Sequence, residues 1–199
     1  MPTVLATIKN ITVIQDDDGR VHWTSGAAID ADGSNGQNGN PFAYRRDNKG
    51  LDANSAAGWP NKGWRNVLLD GGNGKPLSDG NGNWYSQTTY AWKGQPIPTR
   101  YVDATAVPYV VVNPIVRLHA AGVVIGCRAR ISYNGQTCDA VAADVSGAGD
   151  IGELSIRAAE LLGIPPSPRS GGVKRGVQFE LWPGTAAVLQ GQTYELQRA

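Results

Sequence analysis

An Asn-Gly pair in the second half of the chain constrains the fold more than any other feature. Asn134-Gly135 lies between two runs of alternating apolar and polar residues, in the segment GVVIGCRARISYNGQTCDAVAAD. Asn-Gly favours a two-residue type I′ turn, because both central positions of that turn need a positive φ. The turn fixes the register of a β-hairpin in which Arg130 faces Asp139. Period-2 alternation then makes one face of the hairpin apolar and the other charged.

This register gives two aspartates different interpretations. Asp139 faces Arg130 across the strands, and a solvated pair of this kind contributes little stability. Asp144 ends the second strand on the apolar face, where an unpaired carboxylate is costly, so it is a candidate for a functional role. The same register keeps Cys127 and Cys138 roughly 13 Å apart along the hairpin, too far for a disulfide, and we expect free thiols.

Strand signals continue through the rest of the chain. The opening reads ITVIQ, a turn at residues 17–19 and then RVHWTS, which predicts a hairpin. The β-branched stretch AVPYVVVNPIV predicts a buried strand near residues 106–112, which Pro114 either ends or displaces to a sheet edge. The final segment, from residue 176 onward, predicts two or more strands. We therefore expect a mainly β (α+β) fold, closer to a barrel than to a doubly wound sheet, with one or two helices and long Gly/Asn-rich loops.

Length and charge restrict the functional classes. A chain of 199 residues can bury one good core, and we expect a single domain over residues 1–199. The net charge is +1 and the basic residues are scattered, apart from Arg45-Arg46, which argues against a nucleic-acid partner. No window reaches the ~18 apolar residues of a membrane span, and the amino terminus has no recognisable signal peptide.

The segment DIGELSIRAAELLG predicts a short amphipathic helix, and it carries a second candidate carboxylate, Glu153. The helix would bury a stripe that consists of Ile151, Leu154, Ala158, Leu161 and Leu162. Two interpretations of Glu153 are open. Asp150-x-x-Glu153 fits a capping box at the start of that helix, where the helix dipole would favour the ionised glutamate. Alternatively, the Gly-rich turn before the helix brings Glu153 to the same end of the fold as Asp144, and two carboxylates that flank a cleft are what glycoside hydrolysis requires.

Further acidic residues precede the long loop region. Asp30 and Asp32 lie in AIDADGS, which is typical of an Asx-rich turn but also suits a cleft that binds a cation. A calcium loop of the EF-hand type is not indicated, because the twelfth position is Pro41 instead of glutamate. His22 and His119 have no ligand partners at zinc spacing, and we expect neither a metal nor a cofactor.

Several stretches together resemble the family 75 glycoside hydrolases, the chitosanases of fungi and bacteria. They are AIDADGS at 28–34, AYRRDNKGLDANSAA at 43–57, RYVDATAVPYVVV at 100–112, YNGQTCDAVAADV at 133–145, IGELSIRAAELLGI at 151–164 and SPRSGGVKRGVQFELWPGT near the end. The similar region runs from about residue 28 to 184. The segment VSGAGD, the loop at 33–40 and Asn113 depart from the family pattern.

The resemblance implies a fold, a reaction and a set of site residues. It implies a double-ψ-like β-barrel core and an endo-acting enzyme that cleaves β-1,4 bonds in chitosan with inversion. The essential pair falls on Glu153, as general acid, and Asp144, as general base. Chitosan is a polycation, so carboxylates should line its cleft. The candidate substrate-binding residues are Asp30, Asp32, Tyr44, Asp52, Tyr101 and Asp103, although the tyrosines suit the core equally well.

Two other functions are compatible with the sequence. An antibacterial effector that cuts peptidoglycan glycan strands could be delivered without a signal peptide, and it would have an immunity protein as partner. A non-catalytic sugar-binding module would use some of the six tryptophans as stacking platforms, although tryptophans are more often buried. For the hydrolase we expect a secreted protein, whose signal was removed or which is exported without one, and a polysaccharide as its partner.

Overall fold

The computed structural model describes residues 1–34, 59–78, 80 and 83–197. Its nine strands are hydrogen-bonded in the order β1-β2-β3-β7-β4-β6-β5-β8-β9. An additional pairing between β3 and β8 closes the six strands from β3 to β8 into a barrel. The strands are β1 Thr3–Ile8, β2 Ile11–Gln15, β3 Val21–Asp30, β4 Tyr109–Val112, β5 Cys127–Tyr133, β6 Gln136–Val145, β7 Glu153–Ser155, β8 Val173–Leu189 and β9 Gln192–Tyr194.

The barrel interior is filled by alternate residues of the long strands. In the first half of β3, Val21, Trp23 and Ser25 are buried, whereas the residues between them are more exposed. Trp23 is in register with Phe179 of β8, and their rings stack with centroids 5.1 Å apart. An aromatic pair of this kind adds to the burial of its own apolar area, so it stabilises the β3–β8 contact that closes the barrel.

The fold confirms the expectation of a mainly β domain with a barrel core, and six strands close that barrel. Two pairs of strands, β3 with β7 and β4 with β6, run parallel, and the other pairs are antiparallel. The helices are short, and the described residues contain three α-helices instead of one or two: α1 Ile97–Arg100, α2 Pro114–His119 and α3 Ile156–Leu161. Within these described ranges no helix has the length and apolar character needed to cross a bilayer.

The predicted Asn134-Gly135 hairpin is confirmed, but its predicted register does not extend as far as Asp144. Asn134 and Gly135 have φ of 46° and 78°, and Arg130 faces Asp139 with Nη2 2.9 Å from Oδ1. Both cysteines are free, as expected. The predicted register holds back to Arg128, and before it the register shifts by one residue, since the Gly126 N–H donates to the Ala142 carbonyl at 2.8 Å. The ladder that fixes Asp144 is the one with β4, in which it is in register with Val111.

The strand predicted near residues 106–112 is β4, and it lies between β6 and β7 in the barrel. All four of its residues are buried. Pro114 ends the strand, which was one of the two predicted possibilities. The other, that the proline displaces the strand to a sheet edge, is wrong. The proline becomes the first residue of α2, where its missing N–H costs nothing. Asn113 caps this helix, and its side-chain oxygen accepts a 2.7 Å hydrogen bond from the Ile115 N–H.

The capping-box interpretation of Glu153 is wrong. Glu153 begins strand β7, where it is in register with Ala28 of β3 on one side and Val111 of β4 on the other. The backbone of this segment is thus paired in two ladders, and the helix starts only after it. Ser155 is the N-cap of α3, and its hydroxyl accepts a 3.2 Å hydrogen bond from the Ala158 N–H. The later start also rotates the predicted stripe, so that Leu161 is 43% exposed.

We predict that Ser155→Ala lowers the free energy of unfolding by about 1–3 kcal/mol. The hydroxyl also accepts a hydrogen bond from the buried Tyr109 N–H at 3.0 Å and donates one to the Val107 carbonyl at 2.8 Å. Urea denaturation measures the loss. Asp150→Ala is the matched control and should have little effect, because its ion pair is exposed. If Asp150→Ala lowered the free energy of unfolding as much as Ser155→Ala, the capping-box interpretation would be supported.

Candidate active-site cleft

A cleft of about 920 Å³ lies over the strands β3, β7, β4 and β6. We call it the acidic cleft, because the charged residues that line it within the described ranges are five carboxylates and one ammonium group. These charged residues are Asp30, Asp32, Asp144, Asp150, Glu153 and Lys9. Both members of the predicted pair, Asp144 and Glu153, are therefore in one cleft, together with two of the predicted substrate-binding residues.

Val111 of β4 sets the geometry of the pair. It is in register with Asp144 of β6 on one side and with Glu153 of β7 on the other. Residues in register on neighbouring strands project from the same face of a sheet. Asp144 and Glu153 therefore flank Val111 on one face, with their Cα atoms two strand spacings apart, or roughly 9.6 Å.

A glycine lets the chain reach the start of β7. Gly152 has φ of 86°, and a Cβ at this position would lie 2.3 Å from Ser25 Oγ and 2.6 Å from the Gly26 carbonyl oxygen. A side chain here would clash with the β3 backbone, and the positive φ would strain it further. The close approach of Gly152 to β3 brings the next residue, Glu153, into the sheet.

Asp144 is buried, with 8% of its surface exposed, and one of its oxygens is saturated with donors. Oδ1 accepts hydrogen bonds from the Thr89 N–H at 3.0 Å, the Thr89 hydroxyl at 2.6 Å and the Val145 N–H at 2.8 Å. Donors to a carboxylate stabilise its ionised form against the cost of burial. The three bonds also fix the orientation of the carboxylate at the edge of the cleft.

Asp30 and Asp32 belong both to a turn and to the cleft. Asp30 Oδ1 accepts a hydrogen bond from the Asp32 N–H at 2.9 Å, which is an Asx turn at the end of β3. Ser34 closes the same turn by donating to the Ala31 carbonyl at 2.6 Å. Both aspartates are buried and line the acidic cleft. The Asx turn and the cleft lining, the two interpretations of AIDADGS, are therefore compatible, because the turn places both aspartates in the cleft.

Asp30, Asp32 and Asp144 each bring a carboxylate oxygen within 4.8 Å of the others. Among the residues that the structure describes, this is the one group close enough to hold a metal ion. An all-carboxylate set suits hard cations such as Mg²⁺ or Ca²⁺. Asp30 and Asp144 already accept hydrogen bonds from the chain, so the cluster by itself does not assign a metal.

Tyr109 lies against this cluster, and the sequence did not single it out. Its hydroxyl donates to the Asp32 carbonyl oxygen at 3.1 Å. Burial, followed by the negative charges of Asp30, Asp32 and Asp144, raises the pKa of the Tyr109 hydroxyl well above its ordinary value. The phenol is therefore neutral at physiological pH and serves as a hydrogen-bond donor beside the carboxylates.

The other predicted binding residues are not in the acidic cleft or fall outside the described ranges. Asp103 accepts hydrogen bonds from the Thr105 N–H and hydroxyl at 2.8 and 2.7 Å, which closes a local turn. Burial raises the pKa of this aspartate. Tyr101 forms a bridge with Ala91. Neither Asp103 nor Tyr101 lines the cleft. Tyr44 and Asp52 lie outside the described residues.

The tryptophans do not provide a stacking platform in this cleft. Trp23, Trp64 and Trp84 are buried, and none of the six tryptophans is among the residues that line it. Trp59 packs edge-to-face on Trp64 and Trp84, with ring centroids 5.4 and 6.5 Å away. These rings pack in and against the core, as tryptophans in proteins more often do.

The chain matches no protein-family model, and no curated protein is significantly similar to it.

We predict that Thr89→Val lowers the free energy of unfolding by about 1–2 kcal/mol, because it removes one hydrogen bond to a buried carboxylate. The backbone donor of residue 89 remains, so the effect isolates the hydroxyl. Thr89→Ser keeps the hydroxyl and should restore most of the loss in a chemical denaturation series. An equal loss for valine and serine would mean that the hydroxyl does not support Asp144.

Proposed function

We propose that this protein is a glycoside hydrolase that cleaves β-1,4 bonds inside chitosan chains. One observation carries the proposal: Asp144 and Glu153 flank Val111 in register and line the same cleft. Two carboxylates that project from one face into a shared cleft are the minimum equipment for this reaction. The resemblance of residues 28–184 to the family 75 chitosanases supports the same pair.

The roles follow from what each group needs to do. The general base has to be ionised, and the three donors on Asp144 Oδ1 favour that form. Glu153 is then the general acid, which gives its proton to the glycosidic oxygen as the bond to the anomeric carbon breaks. Asp144 takes a proton from a water whose oxygen attacks the anomeric carbon from the opposite side.

The charge of the cleft supports a cationic substrate. Among the residues that the structure describes, five carboxylates line it against one ammonium group, although the whole chain has a net charge of +1. A cleft with one dominant sign of charge attracts ligands of the other sign. Chitosan carries an ammonium group on each deacetylated unit, and hydrolysis of this external polymer implies that the protein is secreted.

The alternatives have less support. A sugar-binding module that relies on exposed indoles is not favoured, because no tryptophan lines the acidic cleft. The antibacterial effector is less favoured, because the acidic lining suits a polycation and peptidoglycan glycan strands are not cationic. Incubation of the protein with chitosan, chitin and peptidoglycan in parallel, with products identified by mass spectrometry, separates the substrates.

We predict that Glu153→Gln slows chitosan hydrolysis by about 10²–10⁴-fold, which is the usual contribution of general acid catalysis. The amide keeps the shape of the side chain but cannot donate an acidic proton. Glu160→Gln is the control, since Glu160 lies on α3 outside the cleft and should keep full activity. Retention of more than a tenth of the wild-type rate by Glu153→Gln would exclude Glu153 as the acid.

We also predict inversion at the anomeric carbon. The resemblance to the family 75 chitosanases implies an inverting pair, whose carboxyl groups lie about 6.5–9.5 Å apart instead of the ~5–5.5 Å of a retaining pair. The Cα atoms of Asp144 and Glu153, two strand spacings or roughly 9.6 Å apart, are compatible with such a carboxyl separation. Proton NMR of the first product of a β-linked chain should show the α-anomer before mutarotation. If the β-anomer came first, the reaction would pass through a covalent intermediate and Asp144 would be a nucleophile.

A further inference from the structure

An ion pair between Lys9 and Asp150 lies in the lining of the acidic cleft. Lys9 lies in the tight turn between β1 and β2, where it and Asn10 have positive φ values of 47° and 65°. Its ammonium nitrogen is 2.5 Å from Asp150 Oδ1, although the two residues are 141 positions apart. Both residues line the cleft that contains Glu153.

The backbone of Asp150 is held firmly, whereas its ion pair is open to water. The Asp150 carbonyl accepts hydrogen bonds from Asn113 Nδ2 at 2.6 Å and from the Ser146 hydroxyl at 2.9 Å. The side chains of Lys9 and Asp150 are 64% and 57% exposed. An ion pair in this environment contributes little to stability and exchanges readily, so Asp150 is fixed in place while its cation is replaceable.

The group that Lys9 brings to Asp150 is a primary ammonium. A deacetylated sugar unit of chitosan carries the same group on its second carbon, whereas an N-acetylated unit carries a neutral amide there. The geometry of the Lys9–Asp150 pair therefore displays how this carboxylate holds an ammonium group, three residues before Glu153 along the chain.

We infer that Asp150 determines substrate specificity by binding the ammonium group of a glucosamine unit, and that Lys9 occupies this subsite until the substrate displaces it. The inference rests on the proposed function and adds a subsite to it. Lys9 competes with the substrate, so its removal increases the affinity for glucosamine oligomers, and removal of the Asp150 charge lowers it. Neither change affects the affinity for N-acetylglucosamine oligomers.

Calorimetric titration of Glu153→Gln, which binds without turnover, tests this with glucosamine and N-acetylglucosamine tetramers. Combined with Glu153→Gln, the substitution Lys9→Met should raise the affinity for the glucosamine tetramer by about two- to fivefold, as expected for an exposed ion pair. Asp150→Asn in the same background should lower this affinity by a similar factor. In the Asp150→Asn background Lys9→Met should have no effect, because its partner is gone. Lys75→Met removes a charge outside the cleft and is the control.

Each outcome decides between the specific subsite and a general effect of charge. If Lys9→Met raises affinity equally with and without the Asp150 carboxylate, Lys9 only repels cations and the subsite is overturned. Equal effects on both tetramers, or no effect of either change, also overturn it. Hydrolysis of chitosan by the wild-type protein is measured separately. If the wild-type protein hydrolyses chitosan but the Lys9 and Asp150 substitutions do not change tetramer affinity, the subsite alone is refuted. If the affinities change as expected but chitosan is not hydrolysed, the proposed function is refuted and the subsite is kept.

Discussion

The pairing of β4 with β6 on one side and β7 on the other is the interaction on which the candidate site depends. β4 has only four residues, all buried, yet it joins two strands that carry the two carboxylates. Because hydrogen-bond ladders fix strand spacing and register, Val111 holds Asp144 and Glu153 at a set separation. The barrel closes around this arrangement through the β3–β8 contact, so the spacing is a property of the whole fold instead of one loop.

Grouping several carboxylates in a partly buried cleft is costly, and the surrounding residues offset this cost with donors. Thr89 and Val145 donate to Asp144, and the Asp32 N–H donates to Asp30. The neutral Tyr109 hydroxyl adds a donor at the Asp32 carbonyl. Because these carboxylates are concentrated in one cleft, an acidic site can occur in a chain with almost no net charge.

The helix prediction shows where sequence patterns mislead. Asp150-x-x-Glu153 has the spacing of a capping box, and Ile151, Leu154 and Ala158 have helical periodicity. The chain nevertheless forms a strand at Glu153–Ser155, because β3 and β4 offer hydrogen-bond partners on both sides. A three-residue strand between two others is stabilised by its neighbours, and its own residues carry almost no signal for it.

Local rules determined a good part of this protein from its sequence. Turn chemistry at Asn134-Gly135 and the β-branched run before Pro114 predicted the hairpin, the buried strand and the mainly β class, since φ preferences and side-chain alternation act between near neighbours. Only the tertiary structure decided which distant residues contact the carboxylates of the cleft. Thr89 reaches Asp144 across 55 residues and Lys9 reaches Asp150 across 141. These contacts join segments that only the folded sheet brings together, and no local periodicity encodes which distant segments will meet.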